Sequence, residues 1–113
     1  MRAPCITVGL LLAASAAHGQ AADGAALYQK NCRMCHGADG TPPATMLKLL
    51  PTLPTLNAKY MESRSEDSVV AVLTRGSANG KMKALKEKLT PDQMKAVAHY
   101  LKEMVKAKGG GSS

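Results

Sequence analysis

The sequence predicts an all-α domain of three main helices joined by long loops. Three observations lead to that class. Thr90-Pro91-Asp92-Gln93 combines an N-cap, a proline at the first helical position and a glutamine three residues after the cap, and an apolar stripe follows it. Two earlier segments also carry helix-start signals, a capping residue at Asp23 and acidic residues after Ser65. No stretch shows the apolar-polar alternation of a half-buried strand.

The chain has 113 residues, and the first of them do not read as part of this domain. A basic start, Met1-Arg2, precedes an almost uncharged stretch from Ala3 to Ala17 with its apolar core at Ile6 to Leu12. Small residues follow, with possible cleavage sites at Ala17-His18-Gly19 and Gly19-Gln20-Ala21. Residues 1–21 are therefore predicted to be a secretion signal. The apolar run falls short of the ~20 residues that cross a bilayer. Export, to the periplasm or beyond, and a mature domain over 22–108 without a transmembrane segment are the expectations.

Within that domain, Asp23 caps a first helix through Asn31, with Leu27, Tyr28 and Asn31 on one side. Gly37 through Pro54 is rich in Gly, Pro and Thr, with room for one helical turn around Ala44 to Leu50 before Pro51. So long a loop in so small a domain implies that it wraps something. Ser65-Glu66-Asp67-Ser68 opens a second helix with acidic residues at its positive end. Val69, Val70, Val72 and Leu73 would suit a strand equally, but the acidic start and the Arg75-Gly76 finish favour helix. Ser77 to Leu89 is a lysine-rich loop. In the last helix Met94, Val97, Ala98, Leu101, Met104 and Val105 recur at offsets of three and four, while Lys95, Lys102, Glu103 and Lys106 lie mostly off the stripe. Residues 109–113 are expected to be a flexible tail.

A domain of this size buries only part of its unfolded surface, so its core is thin. The usual bulky fillers are missing, since the chain has no Phe or Trp and its only Tyr residues are Tyr28, Tyr60 and Tyr100. A bound group would fill the gap. The formal charge of +7, one less without Arg2, points to an acidic partner or an anionic surface.

Cys32-Arg33-Met34-Cys35-His36 supplies the group. In C-x-x-C-H two thiols add to the vinyl groups of a haem and the next histidine reaches the iron. Two intervening residues let both sulfurs reach one macrocycle edge and hold the histidine against one face. Three alternatives are weaker. A disulfide needs only the cysteine pair, a thioredoxin-like dithiol needs a βαβ setting that is absent, and a zinc site needs more ligands than His99 can provide. Cys5 falls in the expected signal.

The sixth iron position needs a second donor from Met34, Met46, Met61, Met82, Met94, Met104 or His99. Met94, Met104 and His99 belong to the last helix, and a helical methionine is more often core filler than ligand. Met34 is tied too closely to the attachment segment to reach the opposite face. Met82 lies in the loop Gly80-Lys81-Met82-Lys83 between two helices and can offer its thioether without breaking one. His36 and Met82 are thus the predicted iron ligands.

From Asp23 to about Met104 the chain resembles a class I cytochrome c of the small bacterial monohaem kind. Gly24, Tyr28, Cys32, Cys35, His36, Gly37, Arg75-Gly76, Met82, Leu89-Thr90 and Tyr100 occur in matching order. The resemblance implies a fold in which the first and last helices cross, through Gly24 and Tyr28 against Tyr100 or Leu101. It also implies a proline carbonyl, from Pro51 or Pro54, that accepts a hydrogen bond from the proximal histidine. Asn57, Tyr60 and Arg75 are weak candidates to meet the haem propionates. Two residues depart from the pattern. Lys83 and Leu85 stand where a proline and an aromatic residue usually follow the methionine, which implies a softer loop and an iron more open to small ligands or peroxide.

These expectations make the chain a soluble monohaem carrier of single electrons rather than an enzyme. A peroxidase or sensor with a labile methionine, or a subunit of a larger redox complex, is the alternative. Lys81, Lys83, Lys86 and Lys88 flank Met82 and Arg33 lies in the attachment motif, so a basic collar for acidic redox proteins is expected. Nucleic acid is not an expected partner, and the chain is expected to be monomeric.

Overall fold

Among the described residues, side-chain caps set the starts of four of the six helices. The computed structural model of the chain describes residues 23–111, with side-chain surroundings through residue 108. The expected signal, its cleavage sites and Cys5 lie outside the described residues. Asp23 Oδ1 accepts from the Ala26 amide at 3.1 Å and opens α1, Gly24–Asn31. After Cys32 the chain makes one more turn, α2, Arg33–His36. The single turn expected near Ala44 is α3, Ala44–Leu49. Ser65 Oγ accepts from the Ser68 amide at 3.1 Å and starts α5, Glu66–Arg75, which settles the valine segment as helix.

One helix was not expected. Asn57 Oδ1 accepts from the Tyr60 amide at 2.9 Å and caps α4, Ala58–Glu62. Its five residues are too few to show periodicity, but Met61 on it is buried against the rest of the core. The last helix, α6, is Pro91–Gly111, so its backbone runs into the glycine tract assigned to the tail. Its start is the expected capping box, with Thr90 Oγ1 accepting from the Gln93 amide at 3.2 Å and Gln93 Oε1 accepting from the Thr90 amide at 2.9 Å. Thr90→Ala is expected to destabilise the protein by about 1 kcal/mol, read as a lower urea midpoint at unchanged slope.

The helices α1, α4 and α5 all pack on α6. Met94, Val97, Ala98, Leu101 and Val105 of α6 are buried, as the stripe predicted, and Met104 is half-buried. The first and last helices cross closely. A Cβ on Gly24 would overlap the Ala96 carbonyl oxygen and come within 2.9 Å of Tyr100 Cβ, so only glycine fits that crossing. Beside it the Tyr28 and Tyr100 rings sit 5.5 Å apart and tilted by 53°. Among the described residues there is no strand, and no helix is long and apolar enough to cross a membrane.

Candidate cofactor site

The crossing of α1 and α6 fixes where the attachment motif sits. Tyr28, fully buried, donates its hydroxyl proton to the Gly37 carbonyl at 2.7 Å, which ties α1 to the residue after His36. Burial holds the Tyr28 phenol well above its ordinary pKa, so it remains a donor. The His36 amide donates to the Cys32 carbonyl at 2.9 Å and the Gly37 amide to the Arg33 carbonyl at 2.8 Å. This turn brings Cys32, Cys35 and His36 to one wall of a crevice. Cys32 is buried, Cys35 half-buried, and both are free thiols.

The crevice consists of two adjoining cavities of about 310 and 320 Å³. Cys32, His36, Tyr60, Val72 and Met82 line both. The first also takes in Tyr28, Met61, Arg64, Leu73 and Leu101, and the second Cys35, Leu50, Leu53, Pro54 and Leu85. Size and a predominantly apolar lining suit a large organic group held by a few polar contacts.

The thiols argue against two of the alternative chemistries. Burial, with a smaller contribution from Cys35, pushes the Cys32 thiol up to about 11, so it carries little thiolate at neutral pH, opposite to a redox-active dithiol. Among the described residues no three of His, Cys, Asp or Glu come together as a metal-holding group, the set that a zinc site would use. Burial also lowers the His36 pKa, keeping the imidazole neutral and its lone pair available.

The other predicted residues divide. Met82 is half-buried and reaches both cavities. Met61, 2% exposed, lines the first only. Met34 is 82% exposed, the Met94 sulfur meets Thr74 Oγ1 at 3.6 Å, and exposed His99 pairs through Nδ1 with Glu66 Oε1 at 2.9 Å. None of those three lines either cavity, nor do Met46 and Met104. Pro54 lines the second cavity and exposed Pro51 does not, yet neither makes the expected hydrogen bond, because His36 Nδ1 is buried with no partner. Of the collar, Lys81 and Lys83 line the second cavity beside Met82, while Arg33, Lys86 and Lys88 are exposed away from its lining.

Arg64 is the residue that sequence reading missed. Half-buried on the lining of the first cavity, its guanidinium stacks over the Tyr60 ring at 3.7 Å and donates from Nη1 to the Tyr60 carbonyl. Of the earlier propionate candidates, Tyr60 reaches the crevice, whereas Asn57 is used as a helix cap and exposed Arg75 lines neither cavity.

The residues present fit a covalently bound haem. Two free thiols and a histidine kept neutral by burial share the wall of an apolar crevice, with an orphaned imidazole nitrogen buried beside it. Comparisons with known proteins agree. The family model described as Cytochrome c matches residues 21–104. Among solved structures, the KustC0563 c-type cytochrome is similar at a TM-score of 0.63 and 29% identity, covering 73% of this chain and 96% of that one. A tyrosine-to-phenylalanine mutant of Kustc0563 gives 0.62 and 28%, covering 73% and 98%. A search of curated proteins returned no match. The chain therefore belongs to the cytochrome c family, as a small class I c-type cytochrome that binds haem c covalently and transfers electrons.

Proposed function

We propose that this cytochrome is an exported, soluble, monomeric carrier of single electrons in which His36 and Met82 ligate the haem iron. The observation that carries the reading is that Met82 shares both cavities with Cys32 and His36, whereas the other methionines among the described residues reach one or neither. The haem supplies a one-electron iron couple, and a His/Met pair suits it because the thioether favours the reduced state. Cys32 and Cys35 tether the group, and Leu50, Leu53, Leu73, Leu85 and Leu101 keep water from it. Arg64 offers a cation to a propionate carboxylate at the first cavity. Export rests on the signal-like residues 1–21, and the periplasm is the compartment proposed.

Carrier function is favoured over peroxide or ligand chemistry by the loop that holds Met82, which is tied on both sides. The Met82 carbonyl accepts from the Ser77 amide at 3.0 Å, and the Leu85 amide donates to the Leu73 carbonyl at 2.8 Å. Leu85 is itself buried, so the residue expected to soften the loop anchors it. The test is a visible spectrum of the purified protein. Six-coordinate, low-spin haem c in both oxidation states supports the carrier, and a high-spin ferric form that turns over peroxide refutes it.

Lys81 and Lys83 at the mouth of the second cavity, with Lys86, Lys88 and Arg33 as the outer collar, suit an acidic redox partner. Electron exchange with an acidic protein is expected to slow at least about tenfold from low salt to several hundred millimolar in stopped-flow measurements. A flat salt dependence removes the docking claim.

A further inference from the structure

The loop between α5 and α6 lacks the proline and aromatic residue that usually follow the ligand methionine, yet it is closed by a compact hydrogen-bond network. Ser77 Oγ accepts from the Met82 amide at 2.9 Å and donates to Asn79 Oδ1 at 2.6 Å. Asn79 Oδ1 also accepts from the Lys81 amide at 3.0 Å, and the Gly80 amide donates to the Ser77 carbonyl at 3.0 Å. With the Ser77 amide bonded to the Met82 carbonyl, both backbone polar groups of Met82 end on Ser77. The base of the loop is equally determined. Gly76 has a φ of 84°, and a Cβ there would come within 2.5 Å of the Met82 carbonyl oxygen.

We infer that Ser77 and Asn79 form a polar clasp that positions Met82 and sets how rarely its thioether leaves the iron, the task a proline after the methionine would otherwise perform. The inference rests on the reading of Met82 as a ligand. Short polar side chains hold a turn in this way by satisfying backbone amides locally, without needing a core. The bond from the Met82 amide to Ser77 is partly buried, whereas those of Asn79 are exposed, so Ser77 is the stronger member. Neither residue touches the thioether in the role proposed; Ser77 acts through the backbone of Met82, and Asn79 acts through Ser77 and the Lys81 amide.

The experiment follows the displacement of the sixth ligand by excess imidazole in the oxidised holoprotein, where detachment of the thioether limits the rate. Ser77→Ala is expected to exchange roughly tenfold faster, Asn79→Ala roughly two- to threefold faster, and Ser77→Thr, which keeps the hydroxyl, near the wild-type rate. Unchanged exchange in Ser77→Ala and Asn79→Ala, or equal acceleration in Ser77→Ala and Ser77→Thr, overturns the clasp. A lower unfolding temperature with no change in exchange also overturns it, because Ser77 would then serve stability alone. Met82→Ala separates the two claims. If the spectrum survives that substitution, the ligand reading fails and the clasp with it; if the spectrum changes while exchange in the Ser77 and Asn79 variants does not, the clasp alone fails. Should Ser77→Ala not fold, Asn79→Ala carries the test.

Discussion

Met82→Ala is expected to turn a six-coordinate, low-spin haem into one with a site open to water and small ligands. The alanine side chain cannot reach the iron, and the remaining donors are badly placed. Met34 points to solvent, Met94 is buried against Thr74, and His99 is held by Glu66 on the surface. Only Met61, on the lining of the first cavity, is close enough to the crevice to compete, but it sits in α4 with its side chain already buried in the core. The midpoint potential should fall with the loss of the thioether, because methionine ligation favours the reduced iron. Binding of cyanide or imidazole should no longer wait for a protein ligand to leave, and should accelerate by far more than the tenfold expected of Ser77→Ala. Absorption spectra and redox titration read both effects. A Met82→Ala protein with an unaltered spectrum, beside a Met61→Ala protein with an altered one, would reassign the ligand.

Features whose cause is local in the chain were legible in the sequence. Asp23 and the Thr90/Gln93 pair each satisfy amides within three residues of themselves, so each announced its helix, and the acidic residues after Ser65 announced another. The attachment motif was legible for the same reason, since its chemistry depends on spacing alone. Features that depend on which residues face each other across the fold were not. Arg64 lies on a turn between two helices, and nothing around it in sequence shows that it stacks on Tyr60 at the edge of the crevice. Leu85 illustrates the converse, since its difference from an aromatic residue was legible but its burial and its amide bond to the Leu73 carbonyl were not. Pro51 and Pro54 were interchangeable as sequence, and the structure separates them by burial without giving either the bond to His36.

Gly24→Ala is expected to be strongly destabilising for the addition of a single methyl group. The added carbon overlaps the Ala96 carbonyl oxygen, a backbone atom inside α6 that cannot swing aside as a flexible side chain would. Relief requires α1 to move off α6, and Tyr28 is carried on the same helix. That movement would loosen the Tyr28 and Tyr100 contact and the hydrogen bond from Tyr28 to Gly37, and so disturb the turn holding Cys32, Cys35 and His36. Overpacking of this kind destabilises by roughly 1–3 kcal/mol, with valine worse than alanine. In a domain of this size each kcal/mol lowers the unfolding temperature by about 4–8 °C, so calorimetry should place Gly24→Ala several degrees to about 20 °C below wild type. Ala25→Gly, one residue along the same helix, is the control for helix propensity and should lose only about 1 kcal/mol. Equal losses in the two variants would show that the close approach of α1 to α6 does not govern stability.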